Sequence, residues 1–348
     1  MTRAPLHEER LDVAVRAVLA GLGALQEVLR LPSARVPLIK SDTTPVTAGD
    51  LAVQMAIGAV LERLAPGIPV VGEEGEASIA GTDGLRLLDQ AVAAVKRSMG
   101  ADAPVDPARF LTTCSRAGQG AWWTVDPIDG TKGFRSARHY ALCLALVEGT
   151  RARVGVLSCP TLMLGRDPME IGPDSQRGTI YFAAEGMGAW KFAPDTAAAG
   201  DATRVTRPRA ASGQWRVCDS IEGSSRGERM RAVMDRTGLR WRSVSLDSQC
   251  KYALVAEGAA DCFMRVPSAA RLECVWDHAP GAVVAEEAGA SVCDLAGNPL
   301  RFTGPSLECN TGTLACDRTI VRRVCDAAMP LLAPSQSGSG GGPAGSAC

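Results

Sequence analysis

The sequence has few histidines and almost no net charge, and each of these shortages excludes a class of function. Only three His occur in 348 residues, which excludes a His-rich metal site. Lys plus Arg number 37 and Asp plus Glu number 38, so the formal net charge is −1. This balance supplies no general attraction to polymeric nucleic acid or to an anionic membrane surface. A ligand that carries phosphate would therefore need a local binding site.

The chain also lacks paired cysteines and long apolar runs. Its 12 Cys include no Cys-x-x-Cys pair, which excludes a zinc ribbon and a thioredoxin-type motif. They are scattered in apolar runs, such as ALCLALV around Cys143, so we expect free, buried thiols in a reducing compartment. No uncharged apolar run approaches the roughly 18 residues needed to span a bilayer, and charges interrupt any signal-like segment near the N-terminus. We therefore expect a cytoplasmic protein without a membrane segment, whose metal ligands, if any, are oxygens.

Hydrophobic periodicity divides the chain into two parts. Residues 8–30 and 48–64 have the spacing of amphipathic helices, and β-branched strands separated by turn residues follow them. After a stretch rich in Ala, Gly and Arg, strands and helices alternate, which indicates a second α/β unit. We place an N-terminal α+β domain at 1–195, a C-terminal α/β domain at 196–332 and a disordered tail at 333–348.

The richest chemical signal is DPIDGT at residues 126–131, where the strand WWTVD ends. Its two carboxylates lie three residues apart, Pro127 stiffens the turn, and Gly130 lets a ligand approach the backbone closely. If a helix begins near Thr131, its free N–H groups favour an anion at that point. One turn would then supply both acidic metal ligands and a phosphate cradle. Asp-x-x-Asp also occurs in ordinary solvated turns, so the motif alone leaves both interpretations open.

Further acidic residues stand where other predicted elements begin or end. Glu73 and Glu74 end the predicted strand VVGEE, and Asp277 opens a predicted helix that continues through AVVAEEAG. Asp50 stands three residues after Thr47. Taken singly, Asp277 is typical of an N-cap and Asp50 of a capping box. Carboxylates on several separate elements also suit Mg²⁺, which takes oxygen ligands and keeps several waters.

Three motifs, occurring in order, resemble those of the inositol monophosphatase superfamily of Mg²⁺-dependent, lithium-sensitive phosphatases. They are GEE at 72–74, WTVDPIDGTKGF at 123–134 and WDHAPGAVVAEEAGA at 276–290. Within that superfamily, KGF after DGT, the runs LDSQCKY and FMRVP, and SDTTPVTAGDLAVQ resemble the 3′(2′),5′-bisphosphate nucleotidase branch. The resemblance covers about residues 8–330. It implies the α/β (α+β) class, as a layered αβαβα sandwich with a metal site between the two domains.

The resemblance also implies a role for each matching residue. The metal would be two or three Mg²⁺ ions, and its ligands would be the carboxylates of Glu73, Asp126, Asp129 and Asp277 and the backbone carbonyl of Ile128. Asp50 and Thr131 would orient and deprotonate the attacking water. The substrate would be held by Gly130, Thr131, Ser224, Ser225, Ser248, Lys251, Arg265 and Asp277. Cations at such positions suit a bisphosphate in a chain with almost no net charge.

The function implied is a Mg²⁺-dependent phosphatase that converts adenosine 3′,5′-bisphosphate to AMP, with 3′-phosphoadenylyl sulfate as a further candidate substrate. The loop IEGSSR at 221–226 departs from the family pattern, because it is about two residues shorter and lacks a His that contacts the nucleotide. An inositol polyphosphate 1-phosphatase and a catalytically silent nucleotide or metal sensor stay open as alternatives. The complete acidic set argues against the silent sensor. We expect a monomer that acts on a small molecule.

Overall fold

The structure, a computed structural model, describes residues 4–40, 44–111, 120–163, 167, 170–173, 178–194, 202–208, 213–221, 225–267, 273–307 and 310–332. Its helices are α1 Ala4–Leu29, α2 Ala48–Leu64, α3 Gly81–Met99, α4 Pro107–Phe110, α5 Thr131–Arg135, α6 Ser225–Arg236, α7 Cys250–Glu257, α8 Ala279–Glu287 and α9 Val321–Leu332. Its strands are β1 Leu38–Ile39, β2 Pro45–Val46, β3 Val70–Gly72, β4 Ala121–Asp129, β5 Ala141–Glu148, β6 Arg151–Cys159, β7 Thr179–Ala184, β8 Gly188–Phe192, β9 Thr203–Val205, β10 Trp215–Asp219, β11 Trp241–Ser245, β12 Cys262–Arg265, β13 Ser291–Cys293 and β14 Thr313–Cys316.

Helices and sheets alternate in five layers. The apolar sides of α1, α2 and α3 pack together, and α1 lies on one face of a seven-stranded sheet with the order β3-β4-β5-β6-β7-β8-β9. α7 and α8 lie between the other face of that sheet and a five-stranded sheet with the order β11-β10-β12-β14-β13. α6 and α9 pack on the outer face of the second sheet. The predicted αβαβα sandwich is confirmed.

The first sheet is buried on both faces because helices cover it from both sides. Its strands β5 and β6 carry nearly continuous apolar runs, as expected for strands between two helix layers. β3 is parallel to β4, and the remaining neighbours are antiparallel. The second sheet is mixed, since β10 is parallel to β11 and β12 while β14 is antiparallel to both of its neighbours.

Most of the predicted helices and strands are confirmed. The structure differs from the prediction mainly in where these elements begin and end. The helices predicted at 8–30 and 48–64 are α1 and α2. The predicted start of a helix at Asp277 is wrong, because a 3₁₀ turn at Val275–Asp277 precedes α8. β9 pairs with β8, so the first sheet continues beyond residue 195. The division into domains stays a prediction, and the tail at 333–348 lies outside the described residues.

The cysteines of the described ranges are unpaired. Eight of these nine thiols are buried and Cys274 is partly exposed, so the expected free thiols are confirmed for this part of the chain. Cys114, Cys309 and Cys348 lie outside the described residues. In the described ranges, no helix combines the length and the apolar character that crossing a bilayer requires.

A close approach between β6 and α8 fixes the distance between the first sheet and the central helix layer. A Cβ atom on Gly155 would lie 2.4 Å from the carbonyl oxygen of Pro280 and 2.9 Å from Cβ of Val283. Both partners belong to α8, which follows Asp277 directly. The absence of a side chain at Gly155 therefore lets α8 lie against the sheet in its observed place.

We expect Gly155→Ala to destabilise the protein by about 1–3 kcal/mol, the usual cost of overpacking a filled interior. The thermal midpoint measured by calorimetry should fall by several degrees. Gly304→Ala is the matched control, because no atom lies within 4 Å of the added methyl group. Equal midpoints for the two variants would contradict this account of the packing.

Candidate active site

Three carboxylates from the two halves of the chain meet at the carboxyl end of β4. Asp126 and Asp129 end that strand, and Asp277 ends the 3₁₀ turn before α8. Each offers one oxygen, and these oxygens all lie within 4.8 Å of one another. Residues three apart on a regular strand point to opposite faces. Here the pairing with β5 shifts register between Asp126 and Asp129, and this irregularity allows both carboxylates to reach one point.

Glu73 joins this cluster from the neighbouring strand. β3 and β4 are parallel, and the N–H of Glu73 continues their ladder by donating to the carbonyl of Val125 at 3.1 Å. The carboxyl groups of Glu73 and Asp126 lie close enough for each to affect the pKa of the other. Loss of hydration and the neighbouring acids raise the pKa of Glu73 well above its usual range. The structure thus brings all four predicted carboxylates together.

The electrostatics of the cluster suit a hard cation. Loss of hydration, followed by the charges of Glu73 and Asp129, raises the pKa of Asp126 well above its usual range. Loss of hydration and the charge of Asp277 raise the pKa of Asp129 to about 6. The Oδ1 atom of Asp126 is buried and has no hydrogen-bond partner among the described residues. Crowded carboxylates with an unpaired oxygen fit Mg²⁺, whose positive charge and need for oxygen ligands would satisfy them.

The turn after Asp129 begins a helix, as predicted. Gly130 has a φ of +86°, a conformation that glycine adopts without strain, and α5 starts at Thr131. The Thr131 hydroxyl donates to the carbonyl of Ile128 at 3.3 Å. The Ile128 side chain packs in the core, and this packing fixes the position of the Ile128 carbonyl. The loop therefore holds a predicted backbone ligand and a predicted hydroxyl side by side.

Asp50 lies at the start of α2, where the capping box is confirmed. One of its carboxylate oxygens accepts the N–H of Thr47 at 2.7 Å and the Thr47 hydroxyl at 2.6 Å. Burial and the neighbouring Glu74 raise the pKa of Asp50 to about 7. Within the described ranges no hydrogen bond joins Asp50 to Thr131. The shared role in activating water that the sequence implied for these two residues therefore stays a prediction.

Cationic side chains from the second half of the chain face the acidic cluster. Lys251 in α7 and Arg265 at the end of β12 flank the ring of Phe263, with Nζ of Lys251 at 5.7 Å and Cζ of Arg265 at 5.6 Å from the ring centroid. Both charges favour the ionised form of Asp129. Burial, together with the charge of Arg265, lowers the pKa of Lys251 to about 8. A ligand bridging the carboxylates and these cations would meet both signs of charge.

The remaining predicted contacts divide between described and undescribed residues. Ser248 has a φ of +68° and packs against Gly130, since a Cβ atom on that glycine would lie 2.8 Å from Cβ of Ser248. This contact places Ser248 beside the predicted phosphate cradle. Ser224 lies outside the described residues. Ser225 begins α6, but its side chain also lies outside them.

The inositol monophosphatase family model matches residues 6–327. The chain belongs to the inositol monophosphatase family. The 3′,5′-bisphosphate nucleotidase AHL of Arabidopsis thaliana is 30% identical to it, covering 90% of this chain and 94% of the relative. A 3′(2′),5′-bisphosphate nucleotidase of Emericella nidulans is 32% identical, covering 84% and 90%. The crystal structure of CysQ from Bacteroides thetaiotaomicron, a bacterial member of the family, has a TM-score of 0.60 and 23% identity, covering 89% and 97%.

The resemblance predicted from three motifs is therefore confirmed, but two glutamines of this family member escaped prediction. The Gln54 amide donates to the carbonyl of Glu74 at 2.7 Å and accepts its N–H at 3.0 Å, which fixes the turn that carries Glu73. Gln249 contacts both halves of the acidic cluster. Both glutamines stand in segments that carry the resemblance, Gln54 at the end of SDTTPVTAGDLAVQ and Gln249 in LDSQCKY, and this was the signal that could have found them.

We expect Asp129→Asn to remove most of the metal response of this family member without unfolding it. The amide still accepts the N–H of Gln249, and losing one charge relieves repulsion from Asp277. The thermal midpoint without metal should not fall, and its rise on adding Mg²⁺ should shrink. Asp326→Asn, an exposed carboxylate on α9, is the control and should keep the full rise. A normal Mg²⁺ response in Asp129→Asn would exclude this residue as a ligand.

Proposed function

We propose that this protein is a Mg²⁺-dependent phosphatase that removes the 3′-phosphate of adenosine 3′,5′-bisphosphate to give AMP. What supports this most directly is the convergence of Asp126, Asp129 and Asp277 opposite the buried ammonium of Lys251 and the guanidinium of Arg265. A substrate with two phosphates can place one at the acidic metal site and pair the other with the cations. Relatives named bisphosphate nucleotidases over most of their length point the same way.

In this proposal the metal ligands are Glu73, Asp126, Asp129 and Asp277 with the carbonyl of Ile128. When bound, two or three Mg²⁺ ions would neutralise the reacting phosphate and assist both the attacking water and the departing oxygen. The four carboxylates hold these ions at the end of the first sheet. The backbone at Gly130 and Thr131 and the side chain of Ser248 would hold the phosphate.

The transfer itself needs a base near the phosphate. Water oxygen forms a bond to phosphorus and gives up a proton, the bond from phosphorus to the 3′-oxygen breaks, and that oxygen leaves as a hydroxyl after taking up a proton from solvent water. Asp50 suits the base, because a carboxyl with a pKa of about 7 can accept a proton near neutral pH. Thr131 would connect the water to Asp50 once its hydroxyl turns away from Ile128.

Substrate choice follows from the second half of the chain. Lys251 and Arg265 would contact the phosphate that does not react, and Ser224 and Ser225 would contribute from the shortened loop. Adenosine 3′,5′-bisphosphate satisfies both cations, and 3′-phosphoadenylyl sulfate carries anionic groups at the same two positions. An inositol polyphosphate also carries separated phosphates, which makes it the competing substrate for the test.

The setting of the enzyme completes the proposal. The free thiols of the described ranges suit a reducing compartment, which supports a cytoplasmic location. We propose a monomer that binds neither polymeric nucleic acid nor membrane, in line with a net charge of −1. A site of oxygen ligands also admits Li⁺, so we include lithium sensitivity.

Phosphate release from adenosine 3′,5′-bisphosphate and from inositol 1,4-bisphosphate, each with and without Mg²⁺, tests the proposal. We expect Mg²⁺-dependent release with a higher kcat/KM for the nucleotide, because its 5′-phosphate reaches the two cations. A preference for the inositol substrate would favour the polyphosphate 1-phosphatase instead. Release from neither substrate, in protein that still binds the metal, would favour the silent sensor.

We expect Lys251→Met combined with Arg265→Met to raise KM for adenosine 3′,5′-bisphosphate far more than KM for 3′-AMP, which lacks the 5′-phosphate. Each charge-assisted contact is worth about 1.5–3 kcal/mol, so the loss should reach tenfold or more. The measurement is steady-state kinetics at saturating Mg²⁺, with Arg322→Met, an exposed cation on α9, as the control. Equal losses on the two substrates would mean that these cations act on the reacting phosphate or on the fold.

A further inference from the structure

We propose that Gln249 is a positioning residue that fixes the two halves of the acidic cluster relative to each other. Its backbone holds Asp129 at the end of the first sheet, and its side chain holds the segment that carries Asp277. This inference rests on the proposed function for the identity of the metal. It concerns only residues of this chain, and metal binding tests it separately from phosphate release.

The backbone part of the contact begins with an uncommon conformation at Ser248. Its φ of +68° lies in the left-handed region, where a residue with a side chain is rare. Directly after it, the N–H of Gln249 donates to Oδ2 of Asp129. Ser248 also packs against Gly130, the residue after Asp129. Gly130 likewise has a positive φ. Two left-handed residues in contact therefore place a backbone donor against a carboxylate of the other half.

The side-chain part spans the turn that carries Asp277. The Nε2 atom of Gln249 donates to the carbonyl of Trp276 at 2.8 Å, and its Oε1 atom accepts the N–H of Gly281 at 3.0 Å. These partners lie on either side of Asp277, one immediately before it and one in the first turn of α8. The N–H of Gly281 belongs to the helix start, where backbone donors have no partner within the helix. Gln249 therefore holds both ends of the segment.

A side-chain amide of this length meets both requirements. One end must donate to a carbonyl and the other must accept an N–H, which a carboxylate or an ammonium cannot do together. Gln249 is 2% exposed, so water does not readily replace either bond. Asparagine offers the same groups on a side chain one methylene shorter and cannot keep both bonds in place.

The cluster needs such external support because its own members repel one another. One oxygen from each of Asp126, Asp129 and Asp277 lies within 4.8 Å of the others, a distance at which like charges repel. Holding them in place before the metal arrives lowers the reorganisation that binding requires. Outer contacts of this kind commonly change metal affinity by about 10- to 100-fold.

The test measures Mn²⁺ binding to the metal-free full-length protein by the loss of the free-ion signal in electron paramagnetic resonance. Gln249→Met keeps the volume and loses both side-chain bonds, and Gln249→Asn keeps the amide at a shorter reach. We expect Gln249→Met to raise Kd for Mn²⁺ by about tenfold or more, and Gln249→Asn to raise it less. The Mg²⁺ concentration for half-maximal phosphate release should rise in parallel, while KM for adenosine 3′,5′-bisphosphate at saturating Mg²⁺ stays within about twofold of its wild-type value.

Thr237→Val is the matched control for a purely structural loss. Thr237 is buried, and within the described part of the chain its hydroxyl bonds to the backbone of Met234 and Leu239, between α6 and β11. This variant should lower the thermal midpoint while leaving Mn²⁺ affinity unchanged.

Two results would overturn the proposal: wild-type Mn²⁺ affinity in Gln249→Met, or an equal loss in Thr237→Val. If Gln249→Met does not fold, Gln249→Asn decides by the same comparison. A wild-type protein that binds Mn²⁺ but releases no phosphate from the nucleotide would defeat the proposed function alone. The role of Gln249 would still be decided by the binding data.

Discussion

Several carboxylates lie within a few ångströms of one another and are partly shielded from water. The rest of this structure depends on this one constraint. Loss of hydration and mutual repulsion both raise the pKa of Asp126 and Asp129. Without a cation, the repulsion between the carboxylates therefore disfavours their close arrangement. The fold must therefore supply the stability that this site lacks. It does so by placing each acid at the end of an element whose position is fixed by the core, including β4, which is buried along almost its whole length.

The layered architecture explains how acids from distant parts of the sequence reach one point. β3 and β4 are parallel, so Glu73 and Asp126 emerge at the same edge of the first sheet. α8 crosses that sheet so closely that Gly155 must lack a side chain, and the turn before α8 delivers Asp277 to the same edge. The central helix layer packs against both sheets, so it fixes their positions relative to each other. Gln249, at the start of α7, lies where the end of β4, the turn before α8 and the first turn of α8 meet.

The types of the site residues and their order along the chain could be predicted from the sequence. The contacts that hold these residues in place could not. DPIDGT, GEE and WDHAPG predicted the four carboxylates through their resemblance to the family, because each motif is a short local pattern. The register shift after Asp126 and the burial of Lys251 depend on packing against distant strands, and no local pattern reports them. β14 escaped prediction for a related reason, whereas α9 has an apolar spacing of three to four residues that could have found it. TLAC is too short to show periodicity, and the role of Gln249 depends on Trp276 and Gly281, far away in sequence.

Asp50 shows why a local explanation and a functional one need not compete. Its carboxylate completes the capping box with Thr47, and that bond alone would account for its place in the sequence. The same residue is buried, and its carboxylate lies near enough to those of Glu74 and Glu73 for their charges to interact. Capping holds the carboxylate at a fixed point, while burial raises its pKa to about 7, within reach of proton transfer near neutrality. In the proposed function, a helix cap thus prepares a group for chemistry, because the bonds that fix its position need not neutralise it.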